Sequence, residues 1–291
     1  MQKKDLKNQI KHRSILGEAF YRLIRNKTAM LGFVILMIVV LSCVFANVIC
    51  PEGYNAQNIR ERNQSPSLQH PFGTDSLGRS MLARVLYGGR NSLLIGFLAT
   101  CFSAAVGIFL GTICGFFGGN VDFIVMRILD VFNAIPSLLM AIVISACLGS
   151  GKGNTIIAIG IAFVPKFAQI IRGPVIAQMS NDYIEAARSI DAKNGRIMLR
   201  HILPNVLSPI IVQFTLNVAL AILCVSSLSF IGLGIQPPEP EWGALLSSGR
   251  SYIQYYPYLC TFPGLGIALT VFSVNLFGDG LRDALDPRLK L

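Results

Sequence analysis

The sequence is short of charge. Only 14% of its 291 residues are Asp, Glu, Lys or Arg, where a soluble domain carries about 25%. That deficit excludes an ordinary soluble globular domain and points to hydrocarbon as the solvent. Histidine is scarce: His12, His70 and His201 are the only three, and they stand far apart. The seven cysteines (43, 50, 101, 114, 147, 224, 260) lie in or beside apolar runs without a CxxC pair. They read as small buried hydrophobes, and no His/Cys metal site is expected. No cluster of His, Asp, Glu or Cys marks a catalytic centre, so the chain is not expected to be an enzyme.

What is present is apolar sequence, 53% of the chain. A membrane-crossing helix needs about 20 mostly apolar residues. The windows 28–49, 92–117, 128–148, 206–233 and 259–277 qualify cleanly. A further window, 155–177, is interrupted by Pro165-Lys166, Gln169 and Arg172. The expected fold is an all-α polytopic membrane protein of about six transmembrane helices, with the fourth the least regular. The first window follows a 27-residue arm and is longer than a signal-peptide core of roughly 7–15 residues, so it is expected to be retained.

The expected organisation is a basic arm over 1–27, a first transmembrane helix over 28–50 and an external loop over 51–90. A core of five helices follows over 91–281, interrupted by a cytoplasmic loop at 178–205, and a cytoplasmic tail over 282–291 ends the chain. The arm is amphipathic (Ile10, Ile15, Leu16, Ala19, Phe20, Leu23) and is expected on the lipid surface. In the external loop, Asp75 is expected to cap a short interfacial helix through Arg84. Orientation follows the cations near span ends. The arm carries Lys3, Lys4, Lys7, Lys11, Arg13, Arg22, Arg25 and Lys27; the 178–205 loop adds Arg188, Lys193, Arg196 and Arg200; the tail adds Arg282, Arg288 and Lys290. Both termini and the loop are therefore expected on the cytoplasmic side. The net charge of +10 fits anionic lipid. It is spread over separate loops and does not suggest nucleic acid.

Several spans carry small or polar residues. Ser103, Gly107, Gly111, Gly115 and Gly119 recur every four residues on one helix face, where another helix can approach closely. Arg127 and Asp130 in the third span can pair at i, i+3, either as structure or as part of a gate. The fifth span holds Gln213, Asn217, Ser226, Ser227 and Ser229, and the sixth Ser273, Asn275 and Asp279. These groups either bond neighbouring helices or line an aqueous route. Trp242, in the proline-rich outer loop 234–258, stands where interfacial anchors stand; a cap on the pathway or an external contact is the alternative.

The polar stretch 182–204 lies between two apolar ones. Asp182 and Glu185 are spaced as a capping-box-like pair, a helix is expected over Tyr183–Ile190, and Ile184, Ala187 and Ile190 form an apolar stripe. Asn194-Gly195 offers a turn. A second short helix is expected over Arg196–Leu203, closed by Pro204 before the fifth span. A membrane gains no stability from such an insertion, so it is expected to dock in the aqueous phase.

Glu185-Ala186-Ala187 and Leu203-Pro204 at this separation resemble the cytoplasmic EAA loop of ABC importer permeases. His70-Pro71-Phe72-Gly73-Thr74-Asp75, the Arg127/Asp130/Pro136 segment, Phe230-Ile231-Gly232-Leu233-Gly234 and residues 279–288 narrow the resemblance. They are similar to the C-type subunit of the dipeptide/oligopeptide/nickel branch, and the likeness covers nearly the whole chain. Two positions depart from the pattern. Asp191 replaces the usual glycine, which suggests a turn shifted toward Asn194-Gly195, and His201 stands at a position often apolar.

The resemblance implies a type I importer permease in a bacterial plasma membrane. A homologous second permease completes the pore as a heterodimer, two cytoplasmic ATPase subunits dock on the loops, and an extracytoplasmic binding protein delivers cargo. Ile184, Glu185, Ala186, Ala187, Ile190, Asp191, Leu203 and Pro204 become the coupling residues. ATP and magnesium belong to the partners, and no cofactor is expected on this chain. Accordingly Gly149-Ser150-Gly151-Lys152-Gly153 only superficially resembles a phosphate-binding loop: Ala146 stands at the first glycine, and no Ser or Thr follows Lys152. Gln213, Asn217 and Asn133 are the candidates for the translocation path. The implied cargo is a di- or oligopeptide, with nickel or a metal chelate on the same machinery as the alternative. An ion-driven secondary carrier would show an inverted repeat, and none is evident.

Overall fold

The computed structural model describes residues 15–285. Most of the basic arm, including Lys3, Lys4, Lys7, Ile10, Lys11 and Arg13, and the tail cations Arg288 and Lys290 lie outside the described residues. The arm enters as helix α1 (Ile15–Arg25) and passes directly into α2 (Lys27–Val44). Asn26 makes the junction: its side chain accepts from the Thr28 and Ala29 amides at 3.1 and 3.2 Å, satisfying two donors that open the helix. At the other end of α2, the Arg90 guanidinium donates to the carbonyls of Cys43 and Val44, in the last turn where helical acceptors run short of donors.

Six apolar units follow the sequence windows, but their regularity is reversed from expectation. Five helical stretches are long and apolar enough to cross a membrane, or six when a bent pair counts as one span. The second is α3 (Met81–Phe117), 37 residues long. It absorbs the short helix expected over 76–84, because Ser80 rather than Asp75 caps it, accepting from the Ala83 amide. The third span is the irregular one. It is split into α4 (Gly119–Asn133) and α5 (Ser137–Leu148), bent by 87°, since Pro136 forces the preceding backbone out of the helical region. The fourth, α6 (Lys152–Met179), runs unbroken through Pro165 and Pro174. Close neighbours on several sides keep it helical where proline removes a hydrogen bond.

The hairpin helix α7 (Asp182–Ser189) precedes the fifth span, α8 (Leu207–Phe230). Between them the chain stays helical from Asn194, through a π-helical stretch at Ile197–Ile202 and a 3₁₀ turn at Leu203–Val206. Pro204 therefore does not close a separate helix. The change of pitch accommodates a residue that cannot donate and would clash with the carbonyl four back. A buried helix α9 (Trp242–Gly249) and the long α10 (Tyr258–Leu285) complete the chain.

Missing side chains set the closest packing. A Cβ on Gly107 would meet Phe167 Cβ, one on Gly111 would lie 2.5 Å from the Ala168 carbonyl oxygen, and one on Gly115 would lie 2.7 Å from Val175. Thus α3 and α6 touch backbone to backbone, with Ser103 buried on the same stripe. Gly119 leaves the stripe: α3 ends at Phe117, Gly118 turns at φ +60°, and Gly119 faces open space.

Candidate coupling hairpin and interhelical cavities

The hairpin is fastened to the bundle through its own apolar side. Ile184 and Ala187 are buried with Ile197, Ile202 and Val206 against Phe116 at the end of α3 and Ile171 and Val175 of α6. Leu203 packs on the edge of this cluster, and Pro204 is exposed. Polar bonds tie the hairpin's two feet: Tyr183 donates to Gln178 Oε1 at 2.6 Å, and Asn205 donates to Tyr183 Oη and to the His201 carbonyl.

Two expected local features differ. Asp182 is the first helical residue, flanked by Asn181, and no side chain caps α7, so Asp182 and Glu185 do not form a capping box. Ile190 follows the last helical residue and is 80% exposed; the apolar stripe ends at Ala187.

Asp191 also differs from expectation. It adopts the left-handed conformation itself, at φ +53°. Its amide donates to the Arg188 carbonyl, and the Ala192 amide reaches back to Ala187. This is the bonding of a Schellman helix end. The turn stays at 191 and does not move to Asn194-Gly195, because an Asp side chain tolerates this conformation better than bulkier ones.

The hairpin's other side is open. Glu185, Ala186 and Ile190 are exposed, and Leu199 is 70% exposed. The π-helical stretch lets Ile197 and Ile202, five residues apart, share the buried face. An exposed isoleucine and leucine on the same hairpin as Glu185, on a support rooted in α3 and α6, leave apolar surface free for contact.

Acidic residues of α4 meet α6. Arg172 forms a two-pronged ion pair with Asp122, and Gln169 donates to Asp130 at 2.9 Å. The Arg127–Asp130 pair is not formed: Asp130 is engaged by Gln169, and the Arg127 guanidinium lies over the Phe123 ring at 5.4 Å.

Two cavities open along α8. One, of about 440 Å³, is lined by Gln213, Ser208, Val212, Ile170 and Arg282. The other, of about 260 Å³, is lined by Asn217, Ser137, Lys166, Ser227, Phe163 and Cys224. Gln213 and Asn217 are only 9% and 1% exposed. Among the described residues neither side chain forms a hydrogen bond to a neighbouring helix, and Asn217 Nδ2 has no partner. Asn133 is exposed at the end of α4 and lines neither cavity.

At the opposite end of the bundle from the hairpin, the 70–79 segment is docked on the helices. The Asp75 carboxyl accepts from the Leu77 and Arg79 amides and from the side chains of Arg79 and Arg84. Phe72 stacks on Phe262 at 3.9 Å, and Tyr258 donates to the Thr74 carbonyl. Trp242 is no interfacial anchor. It is 1% exposed, and its indole N–H donates to the Val85 carbonyl at 2.9 Å. In the 149–153 turn, Lys152 pairs with Glu239 at 2.6 Å.

A bundle of membrane-length helices, one of them broken, with largely apolar cavities that each hold a few polar groups and a polar helical hairpin at one end, has the make-up of a polytopic membrane transport subunit. The chain belongs to the family of binding-protein-dependent transport system inner membrane components, whose pattern matches residues 107–291. Residues 14–66 match the N-terminal TM domain of oligopeptide transport permease C. The chain is 45% identical to the dipeptide transport system permease protein DppC of Alkalihalophilus pseudofirmus, over 94% of this chain and 90% of that one. It is 48% identical to the glutathione transport system permease protein GsiD of Escherichia coli, over 89% and 85%. In fold it is similar to the inward-facing MetNI methionine ABC transporter, with a TM-score of 0.57 and 16% identity over 70% of this chain and 96% of that one.

Proposed function

We propose that this chain forms half of the pathway of an ATP-driven importer of small peptides in a bacterial plasma membrane. A homologous permease supplies the other half, and a binding protein delivers the cargo. The hairpin end faces the cytoplasm, in keeping with the cations on it. Two ATPase subunits dock on the hairpins, so that this chain moves with ATP binding and hydrolysis elsewhere. The observation that carries the reading is the two-sided hairpin. Ile184 and Ala187 root it in α3 and α6, and Glu185, Ala186, Ile190 and Leu199 are left free to bind. A push on that open side is delivered to two spans through the buried side, and through the continuous helix to α8. This is rigid-body switching between two packings, biased by a partner. The relatives named for dipeptide and glutathione transport support a short peptide as cargo. The test is ATP-dependent uptake of labelled di- and tripeptides into vesicles holding the complete complex. Uptake that needs the ATPase subunits and the binding protein supports the reading; uptake driven by an ion gradient without them overturns it.

A further inference from the structure

The 260 Å³ cavity carries an unbalanced set of groups. Lys166 projects at mid-length of α6 and, among the described residues, makes no ion pair. A cation at membrane depth without a counter-ion is costly, and such residues face a partner or a wet path. Asn217 is 1% exposed, and its Nδ2 has no acceptor, although buried amide donors are nearly always satisfied. Ser137 opens the twelve-residue helix α5 directly after the break, and no side chain caps that end. The first amide of this helix to find a backbone partner is Met140, on the Pro136 carbonyl. The amides of residues 137–139 therefore remain as donors, with the positive end of the helix dipole behind them. An ammonium, an orphan amide and a bare helix start line one cavity, and no acid lines it. Each of these features is satisfied by the same thing, an anion.

We propose that this cavity is a carboxylate-binding station on the translocation path, taking the free carboxylate of the peptide cargo as it passes. The proposal rests on the peptide-import reading above. One ammonium with neutral donors matches a single negative charge. The volume is below the roughly 300–1,000 Å³ of sites that enclose a whole ligand, so the site grips one end group and leaves the rest of the cargo unread. Leu138, Leu220 and Leu223 are exposed at its rim.

The test uses the complete complex with a cysteine-free version of this chain carrying Ser227→Cys. Its labelling by a negatively charged sulfonatoethyl methanethiosulfonate is compared with labelling by a positively charged trimethylammonioethyl one. Relative to a free thiol, the anionic reagent is expected to be favoured at least about tenfold, and Lys166→Gln is expected to abolish the preference. Leu223→Cys at the rim is the reporter if Ser227→Cys disturbs assembly. Equal preference with and without Lys166 overturns the proposal, and a shift toward the cationic reagent in Lys166→Gln overturns it too, since that would mean the lysine neutralises a carboxylate.

A second arm measures uptake of trialanine and its C-terminal amide. Lys166→Gln is expected to lower acid uptake to the amide level while binding-protein affinity for both peptides is unchanged; equal loss of both overturns the station. If the wild-type complex takes up neither peptide, the cargo reading fails, and the labelling alone decides the site.

Discussion

Glu241 and Ser92, 149 positions apart, meet at 2.7 Å in the interior, where the Ser92 hydroxyl donates to the Glu241 carboxyl. The same carboxyl accepts from Ser226 of α8 at 3.2 Å and from the Ala244 amide at 3.0 Å, capping α9. Glu241 is fully buried, and it joins three elements through one side chain. Burial of such a group is tolerable only because its oxygens are engaged.

Glu241→Leu is therefore expected to destabilise the chain by about 2–3 kcal/mol, and Ser92→Val by about 1 kcal/mol. Because the two share a bond, the double variant should lose less than the sum. Residual monodisperse protein after heating in detergent reads the effect. Strict additivity would show that the pair does not interact.

The glycine stripe gives a contrast between two glycines eight positions apart. Gly111→Leu drives atoms into the Ala168 backbone, and overpacking of this kind costs about 1–3 kcal/mol. Loss of assembly is expected. Gly119 faces open space at φ +51°, a conformation Asn tolerates, so Gly119→Asn should assemble as wild type. Size-exclusion profiles of the two variants check this; equal profiles would remove α3–α6 contact as the reason for the glycines.

Asp191 holds a conformation that glycine adopts freely. Asp191→Gly is expected to leave the hairpin equally or more stable. Asp191→Val, with a branched side chain at φ +53°, should cost more than the roughly 1–2 kcal/mol of an ordinary left-handed residue. Limited proteolysis of the 189–196 segment reports local opening, with faster cleavage expected for the valine variant only.

These contrasts show where sequence patterns suffice. The apolar runs marked every membrane unit because hydrocarbon demands length and composition alone. Small residues at period four marked the α3 face because a straight helix repeats its surface. The pattern failed where backbone geometry changes. Gly118 ends the stripe before Gly119, Pro136 splits a run that reads as one span, and the π-helical stretch puts Ile197 and Ile202, five residues apart, on one buried face. Proline gave opposite results in α5 and α6, because tertiary neighbours decide whether a helix survives it. The Asp122–Arg172 and Glu241–Ser92 contacts were also illegible, since nothing local announces a partner 50 or 149 positions away. Glu185 and Ala186 are exposed as a contact loop requires, whereas the path candidates divide: Gln213 and Asn217 line cavities and Asn133 does not.

The hairpin's two sides should separate by mutation. Ile184 is 1% exposed and Ile190 80% exposed, so they belong to different surfaces although both are isoleucines of one short element. Ile184→Ala removes buried packing against the α3 and α6 ends and is expected to cost about 2–5 kcal/mol, lowering the amount of folded permease. Ile190→Glu touches nothing buried, and its effect on stability should stay within about 0.5 kcal/mol. If the open side is where the ATPase docks, Ile190→Glu nevertheless cuts co-purification of the ATPase subunits and ATP-dependent uptake at least about tenfold, the equivalent of about 1.4 kcal/mol of contact energy. Both quantities are measurable on one preparation, with heat stability as the control. Normal ATPase association in Ile190→Glu would show that the exposed face is not the contact. Loss of folding in the same variant would show that Ile190 is buried in the assembled chain.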